Sequence, residues 1–310
     1  MNSDWRFDAI GTAWSIGTPD PIAPGLRTAI TARIDSFDRT WSRFRVGSAA
    51  NALRTEREVD LGPDAPAILA VYDRLFALTS GAVSPLVGGA LEQLGYGAGY
   101  TLTPSGDPVR VPSWADCELV GGALEQLGYG AGYTLTPSGD PVRVPSWADC
   151  ELVGTVLRVP GPVVLDIGAV GKGWIAGEIA GMIDQPCVVD ASGDLVNRSG
   201  GVLRVALEDP DDAELAIAVV EVPDGDSICG SASNRRRWSD DLHHVLDARS
   251  GTPTRDVVAA WAGGPDAAWA DGLATAAFFA SDLSGTGHWW AALDRDRRLV
   301  AHGLPGEVFA

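Results

Sequence analysis

The chain has 310 residues, of which 45% are hydrophobic and 21% are charged. This composition excludes global disorder, and the length is enough for one large domain or two ordinary domains. The 23 basic and 41 acidic residues give a formal net charge of −18. A nucleic acid partner is therefore not expected, because its phosphate backbone would be repelled.

The ends of the sequence and its apolar segments predict a cytoplasmic protein. Residues 257–280 form the most apolar stretch, but Pro265, Asp266 and Asp271 interrupt it. A membrane-spanning helix needs a run of about 18 apolar residues or more, so we expect no transmembrane segment. The first eight residues contain two acids and no apolar core, which argues against a secretory signal.

The middle of the chain contains an identical tandem duplication. Residues 88–120 and 121–153 are the same 33-residue unit, written twice without a substitution. A period of 33 is typical of ankyrin repeats, but this unit lacks their T-P-L-H turn and two copies are too few to bury a core. We expect either copy, or a hybrid of the two, to occupy the native position while 33 residues loop out.

The duplication also reduces the number of independent cysteines. Cys117 and Cys150 are equivalent positions in the two copies, which leaves three independent sites with Cys187 and Cys229. No CxxC spacing is present. We therefore expect reduced thiols and no structural zinc site.

The pattern of apolar residues predicts helices early, strands in the middle and one helix late. The first long helix, for example, has Ile30, Ile34, Phe37 and Trp41 at three- and four-residue spacing. The predicted elements are a strand at 7–18, helices at 22–43 and 67–79, a strand at 163–166, a helix at 174–183, strands at 187–190, 202–207, 215–222 and 244–246, a helix at 266–279, and strands at 289–293 and 299–302. This order favours a single α+β domain over a regular βαβ fold.

A glycine-rich turn with the sequence DIGAVGKGW at residues 166–174 is the strongest local signal. Its glycines let the backbone approach a ligand, the following helix offers free N–H groups, and Lys172 can pair with an oxyanion. The segment is not a P-loop, because Asp166 stands at the first glycine position and Gly173 follows the lysine. A simple turn with an exposed lysine explains the pattern equally well.

Asp271 and Thr275 are four residues apart on the predicted last helix. They therefore share one face and could offer a carboxylate and a hydroxyl oxygen to a hard cation such as Mg²⁺. Without further context, a helix-start aspartate and a threonine bonded to the backbone are more common.

Two further segments carry polar chemistry. His243 and His244 precede a strand-like run, which sends them to opposite faces, so they are not expected to chelate together. The arginines at 235–237 could bind an anion or form a solvated surface.

Taken in order, eight segments resemble the FAD:protein FMN transferases, the ApbE-type flavin transferases. The segments are IGT at 10–12, WSRFR at 41–45 with Ser48 and Asn51, SGAVSP at 80–85, DIGAVGKGW at 166–174, DASGD at 190–194, SASNRRRW at 231–238, HVLDARSG at 244–251 and ADGLAT at 270–275. The resemblance implies mixed, largely antiparallel sheets with packed helices. It also implies a Mg²⁺-dependent transfer of FMN from FAD to a Thr or Ser hydroxyl of an acceptor protein, with release of AMP.

The resemblance also assigns residues to roles. Metal ligands carry over to the backbone carbonyl of Ala169 and the side chains of Asp271 and Thr275. Asp271 and His244 take the catalytic roles. The implied FAD-binding residues are Ile10, Phe44, Ala82, Val83, Ser84, Asp166, Lys172 and Leu246.

Four positions depart from the family pattern. Ser84 and Phe44 replace an aspartate and a tyrosine, Gly177 replaces a common aspartate, and Ala248 replaces a proline. The metal-binding trio is intact. Two alternatives stay open: a relative that binds FAD or hydrolyses it to FMN and AMP, and a copy inactivated by the duplication.

Overall fold

The computed structural model describes residues 1–99, 101–105, 146–239 and 242–309. Its helices are α1 (Pro24–Trp41), α2 (Ala49–Ala52), α3 (Ala65–Leu78), α4 (Gly88–Gln93), α5 (Gly171–Gly181) and α6 (Ala267–Ala276). Its strands are β1 (Ser3–Ala9), β2 (Thr12–Thr18), β3 (Glu58–Asp60), β4 (Glu151–Val153), β5 (Val156–Arg158), β6 (Cys187–Asp190), β7 (Asp194–Arg198), β8 (Leu203–Glu208), β9 (Ala216–Val222), β10 (Ser227–Ala232), β11 (Leu246–Asp247), β12 (Thr252–Pro253), β13 (Val257–Gly264), β14 (Trp289–Asp294), β15 (Leu299–His302) and β16 (Gly306–Val308).

An eight-stranded antiparallel sheet organises the fold, with the order β1-β2-β6-β7-β10-β13-β14-β15. Helix α5 packs on β6 and β7, and α6 packs on β10 and β13. Helix α3 packs on α6. The main apolar core lies between these helices and the sheet, so the N-terminus of α5 and the middle of α6 come together beside β7 and β10.

Three smaller sheets complete the described structure, and all are antiparallel: β16-β9-β8, β3-β5-β4 and the hairpin β11-β12. The β16-β9-β8 sheet covers a second apolar cluster that includes Leu207, Val220 and Ile228. No helix among the described residues is long and apolar enough to cross a membrane.

The α+β class and the largely antiparallel sheets are confirmed, but several predicted boundaries are wrong. The predicted strand at 7–18 is the β1-β2 hairpin, because Ile10 and Gly11 have φ values of 44° and 75° and reverse the chain. Residues 163–166 form no strand. Val163 and Asp166 donate single backbone hydrogen bonds to the carbonyls of Leu53 and Pro85, and no ladder forms.

The predicted helix at 174–183 begins earlier, at Gly171, so Lys172 lies in its first turn rather than in a loop. The predicted strand at 244–246 shrinks to Leu246–Asp247, which pairs with Thr252–Pro253. Strands β7, β10 and β13 were not predicted. They are central strands that contain Asp, Gly, Ser or Ala, residues with weak strand preference, so only pairing within the sheet fixes them.

The two copies of the duplicated unit contribute different parts to the described fold. Residues 88–99 and 101–105 come from the first copy and form α4 and the turns after it, with Leu91 and Tyr96 buried. Residues 146–153 come from the second copy and form a short turn and β4. The equivalents of both segments, residues 113–120 and 121–138, lie outside the described residues. Which copy occupies the native position, or whether a hybrid of the two does, therefore stays a prediction.

Cys150, Cys187 and Cys229 are free thiols, as predicted. Cys117 lies outside the described residues.

Candidate active site

A cavity of about 1350 Å³ lies where α5, α6, β10 and the turn at residues 166–170 meet. It gathers residues from widely separated parts of the sequence. All of the predicted site residues line it: Ile10, Phe44, Ala82, Val83, Ser84, Asp166, Ala169, Lys172, His244, Leu246, Asp271 and Thr275.

Three ionisable side chains, Lys172, Asp194 and Asp271, form the polar centre of this cavity. The Lys172 ammonium makes an ion pair with the Asp194 carboxylate. The Asp271 carboxylate accepts a hydrogen bond of 2.9 Å from the backbone N–H of Gly173, in the first turn of α5. Asp194 and Asp271 are 1% and 2% exposed. The polar centre therefore holds two buried carboxyl groups and one cation.

The pKa values at the polar centre follow from this imbalance. Burial raises the pKa of Asp271 well above its usual range, and the neighbouring Asp194 carboxylate raises it further. Burial alone would lower the pKa of Lys172, but the Asp194 and Asp271 carboxyls raise it, so the lysine stays charged. A bound cation would remove the excess of negative charge and let Asp271 ionise.

Glycine at position 173 allows this arrangement. A β-carbon there would collide with the carbonyl oxygen of Ala267 and would lie 2.7 Å from Cβ of Asp271. Gly272 has the same role between α6 and α3, where a β-carbon would lie 2.6 Å from the Leu75 side chain. The two glycines let α5, α6 and α3 approach closely enough to bring the Asp271 carboxylate to the N-terminus of α5.

The turn before α5 is held by residues outside its own motif. Arg43 is buried, and its Nε makes an ion pair with the Asp166 carboxylate. The Gly168 N–H donates to the same carboxylate at 2.7 Å, and the Tyr72 hydroxyl donates to the Asp166 carbonyl at 3.3 Å. Burial raises the pKa of Asp166, but Arg43 and the Gly168 N–H lower it to below its usual range, so Asp166 is ionised.

Ala169, Asp271 and Thr275 offer three oxygen donors on the same cavity wall. The Thr275 hydroxyl lies 3.4 Å from the Ser231 hydroxyl on β10. The described residues contain no cluster of three or more His, Cys, Asp or Glu side chains. One buried carboxylate with a hydroxyl and a carbonyl, beside the second buried carboxylate of Asp194, is an all-oxygen set that fits Mg²⁺.

The two adjacent histidines have different environments. His243 is buried, and its Nε2 lies 2.8 Å from the Thr254 carbonyl, so it is a structural residue. His244 lines the cavity, and among the described residues its buried Nδ1 has no hydrogen-bond partner. Burial and the charge of Arg236 lower the pKa of His244 to about 3, so its imidazole is neutral at physiological pH.

An aromatic wall, made of Phe44, Tyr96 and Trp238, closes one end of the cavity. The Tyr96 and Trp238 rings are stacked with centroids 5.3 Å apart, and Phe44 meets Tyr96 edge-on at 5.5 Å. The Trp238 indole N–H donates to the Leu94 carbonyl at 3.0 Å. The wall therefore joins the first repeat copy to the loop after β10.

Asp194, Arg43 and Tyr72 were not predicted as site residues. Asp194 closes the DASGD segment and Arg43 lies in WSRFR, so both were within reach of motif analysis. Tyr72 occupies an ordinary apolar position of α3 and carries no signal of its own.

The fold and cavity define an α+β protein with a large ligand cavity around a buried acidic centre. The sequence profile of the ApbE family matches residues 10–295, and the chain belongs to this family. Comparison with curated protein sequences finds no match.

Solved structures with this fold come from several bacteria. The ApbE protein of Thermotoga maritima is 19% identical with a TM-score of 0.73, and the alignment covers 97% of each chain. The apo flavinyl transferase ApbE of Pseudomonas stutzeri is 17% identical with a TM-score of 0.70, covering 97% of this chain and 95% of that one. The flavin transferase ApbE of Vibrio cholerae is 19% identical with a TM-score of 0.69, covering 97% and 96%.

Proposed function

We propose that this protein is a flavin transferase, which uses Mg²⁺ to move FMN from FAD to a Thr or Ser hydroxyl of another protein and releases AMP. Membership of the ApbE family supports this proposal, as do the names of the structural neighbours from Pseudomonas stutzeri and Vibrio cholerae. The observation that carries it is the convergence of residues distant in sequence on one cavity with a buried acidic centre.

The cavity suits a dinucleotide in size and in the distribution of its polar groups. Its volume of about 1350 Å³ exceeds the ~300–1000 Å³ of ordinary small-molecule sites. FAD needs apolar and aromatic surface for its rings and charged groups for its pyrophosphate. The surface for the rings is supplied by Ile10, Phe44, Leu246 and residues 82–84. The charged groups for the pyrophosphate are supplied by Lys172 and the N-terminus of α5.

The Ala169 carbonyl, the Asp271 carboxylate and the Thr275 hydroxyl would hold the Mg²⁺ ion. When bound, a divalent cation would supply positive charge to offset the negative charge of the pyrophosphate as the phosphorus–oxygen bond breaks. Lys172 and the N–H groups of α5 add positive potential from the protein itself.

The transfer step is a displacement at the FMN phosphorus. The acceptor hydroxyl oxygen bonds to this phosphorus, and the bond to the bridging oxygen breaks, so AMP leaves with the electron pair. The hydroxyl proton passes to His244, whose neutral imidazole faces the cavity. Asp166 attracts the protonated ring, because its ionised carboxylate favours a positive charge on His244.

Purified protein with FAD, MgCl₂ and a panel of Thr- and Ser-containing acceptor proteins tests this proposal. We expect AMP release together with flavin fluorescence that stays on an acceptor after denaturation, and loss of both with excess EDTA. AMP and free FMN without a labelled acceptor would indicate a FAD hydrolase. Retained FAD with no AMP would contradict a transferase and favour an inactive flavin-binding relative.

A further inference from the structure

Three consecutive arginines, Arg235, Arg236 and Arg237, follow strand β10 at the edge of the cavity. Arg235 is exposed and pairs with Glu208 at 2.8 Å. Arg237 donates from Nε to the Ser239 carbonyl at 2.9 Å. Arg236 lies between them and is half-buried in the cavity wall. Neighbouring arginines of one loop thus have three different environments.

Among the described residues, Arg236 differs from Lys172, Arg43 and Arg45 in its lack of an acidic partner. Lys172 pairs with Asp194, and Arg43 pairs with Asp166. Arg45 pairs with Asp35 and Asp38 on α1. Within the part of the chain that the structure describes, no carboxylate lies within ion-pair distance of Arg236.

Arg236 shares the cavity with Asp166 and His244, which come from separate segments of the chain. Arg43 lowers the pKa of Asp166, and the charge of Arg236 lowers it further. Burial lowers the pKa of His244, and the charge of Arg236 lowers it further. An anion placed among Arg236, His244 and the N-terminus of α5 would meet a cation that is not already neutralised.

We infer that Arg236 binds the FMN-side phosphate of the flavin dinucleotide. This inference rests on the proposed function. A guanidinium is always charged and offers a fork of N–H donors that matches two phosphate oxygens. Because it lines the same cavity as His244, the proposed base, we assign it to the phosphate that the acceptor hydroxyl attacks. The pairing would also cancel the positive charge that makes His244 a weaker base, so substrate binding would strengthen that base.

Flavins with and without phosphate separate this role from a structural one. The Kd values of FAD, FMN and riboflavin are measured by titration with MgCl₂, using wild type and the variants Arg236→Met and Arg235→Met. The second variant is the matched control, because the Arg235 side chain is 63% exposed and already has a carboxylate partner in Glu208. Thermal unfolding verifies that each variant folds, and Arg236→Lys replaces Arg236→Met if the latter does not fold.

We expect Arg236→Met to weaken FAD and FMN about tenfold, the effect of one charge-assisted contact, and riboflavin less than twofold. Arg235→Met should change each affinity less than twofold. Unchanged FMN binding, or an equal loss for riboflavin, would overturn the assignment of Arg236 and leave the proposed function standing. A wild-type protein that binds none of the three flavins would overturn both.

Discussion

The polar centre and the duplicated region are built in different ways. The polar centre combines segments that are each short: Lys172 and Gly173 at the start of α5, Asp194 at the start of β7, and Asp271 in α6. The duplicated region instead combines the start of one copy with the end of the other. The polar centre therefore depends on residues that occur once in the chain, whereas each described residue of the duplicated region has an identical counterpart in the other copy.

Chain connectivity places the described parts of both copies. Helix α4 of the first copy begins directly after Val87, which lines the cavity. Strand β4 of the second copy precedes β5 by a tight turn at Gly154 and pairs with it. Each described part therefore adjoins a segment outside the duplication and needs no long loop to reach its place, and loop closure costs entropy.

The largest effect is expected at Asp271. Asp271→Asn keeps an oxygen that can accept the Gly173 N–H, but it removes the one side-chain charge of the proposed metal site. We expect loss of flavin transfer by at least about a thousandfold, with equal or higher thermal stability, because the buried carboxyl is costly to ionise. AMP release and the unfolding temperature are the measurements.

Asp266→Asn is the control for Asp271→Asn. Asp266 is the N-cap of the same helix, with its carboxylate 3.0 Å from the Trp269 N–H, and asparagine caps equally well. It should preserve both transfer and stability. Retained Mg²⁺-dependent AMP release in Asp271→Asn would refute the metal assignment.

Lys172 should contribute to stability as well as to FAD binding. Lys172→Met leaves the Asp194 carboxylate buried without its counter-ion, which costs about 3–5 kcal/mol of unfolding free energy. Lys172→Met with Asp194→Asn removes both charges and should recover most of that loss. In both variants the KM for FAD should rise more than kcat falls, since the ammonium binds ground and transition states alike.

Chemical denaturation and steady-state kinetics separate these two contributions of Lys172. Equal stability of the single and double variants would show that the pair is not coupled. A normal KM with kcat reduced by orders of magnitude would place Lys172 in the chemical step instead.

The residues taken from the family resemblance line one cavity, whereas the periodicity of apolar residues missed central strands of the sheet. Their roles in the site stay predictions. Strands β10 and β13 escaped prediction, since their small residues acquire strand structure only from neighbours in the sheet. The Lys172–Asp194 pair joins two elements that no local pattern connects. Sequence reasoning therefore predicted that Lys172 binds a phosphate, but it did not find the carboxylate partner of this lysine.

The duplicated region contains two equivalent tryptophans, so a substitution at one serves as the control for the same substitution at the other. Trp147 of the second copy is buried, and its indole N–H donates to Asp73 at 2.9 Å. Its equivalent in the first copy is Trp114. We expect Trp147→Ala to lower the free energy of unfolding by about 3–5 kcal/mol and Trp114→Ala to change it by less than about 0.5 kcal/mol.

The double variant tests whether the copies exchange places. If packing is fixed, Trp114→Ala with Trp147→Ala should be no less stable than Trp147→Ala alone. A large loss of stability that appears only in the double variant would show exchange and contradict the fixed hybrid.

Deleting residues 121–153 gives a chain of 277 residues with both outer junctions intact. It should keep its activity and be at least as stable to heat.

The smallest effect, and the sharpest test of the polar centre, comes from two glycines of helix α5. Gly173→Ala would force a β-carbon against the Ala267 carbonyl and Asp271, so α5 and α6 must separate. We expect the free energy of unfolding to fall by about 1–3 kcal/mol, together with weaker Mg²⁺ binding, because the Gly173 N–H moves away from the Asp271 carboxylate.

Gly177 provides the control, because a β-carbon there would lie 3.8 Å from Cβ of Ala267, an ordinary contact. Gly177→Ala should therefore stabilise the protein by up to about 1 kcal/mol through helix propensity. If these two glycine-to-alanine substitutions, one turn apart on one helix, change the free energy of unfolding in opposite directions, the close approach of α5 to α6 builds the site. If both variants were stabilised, the packing of α5 against α6 would not be tight enough to position Asp271.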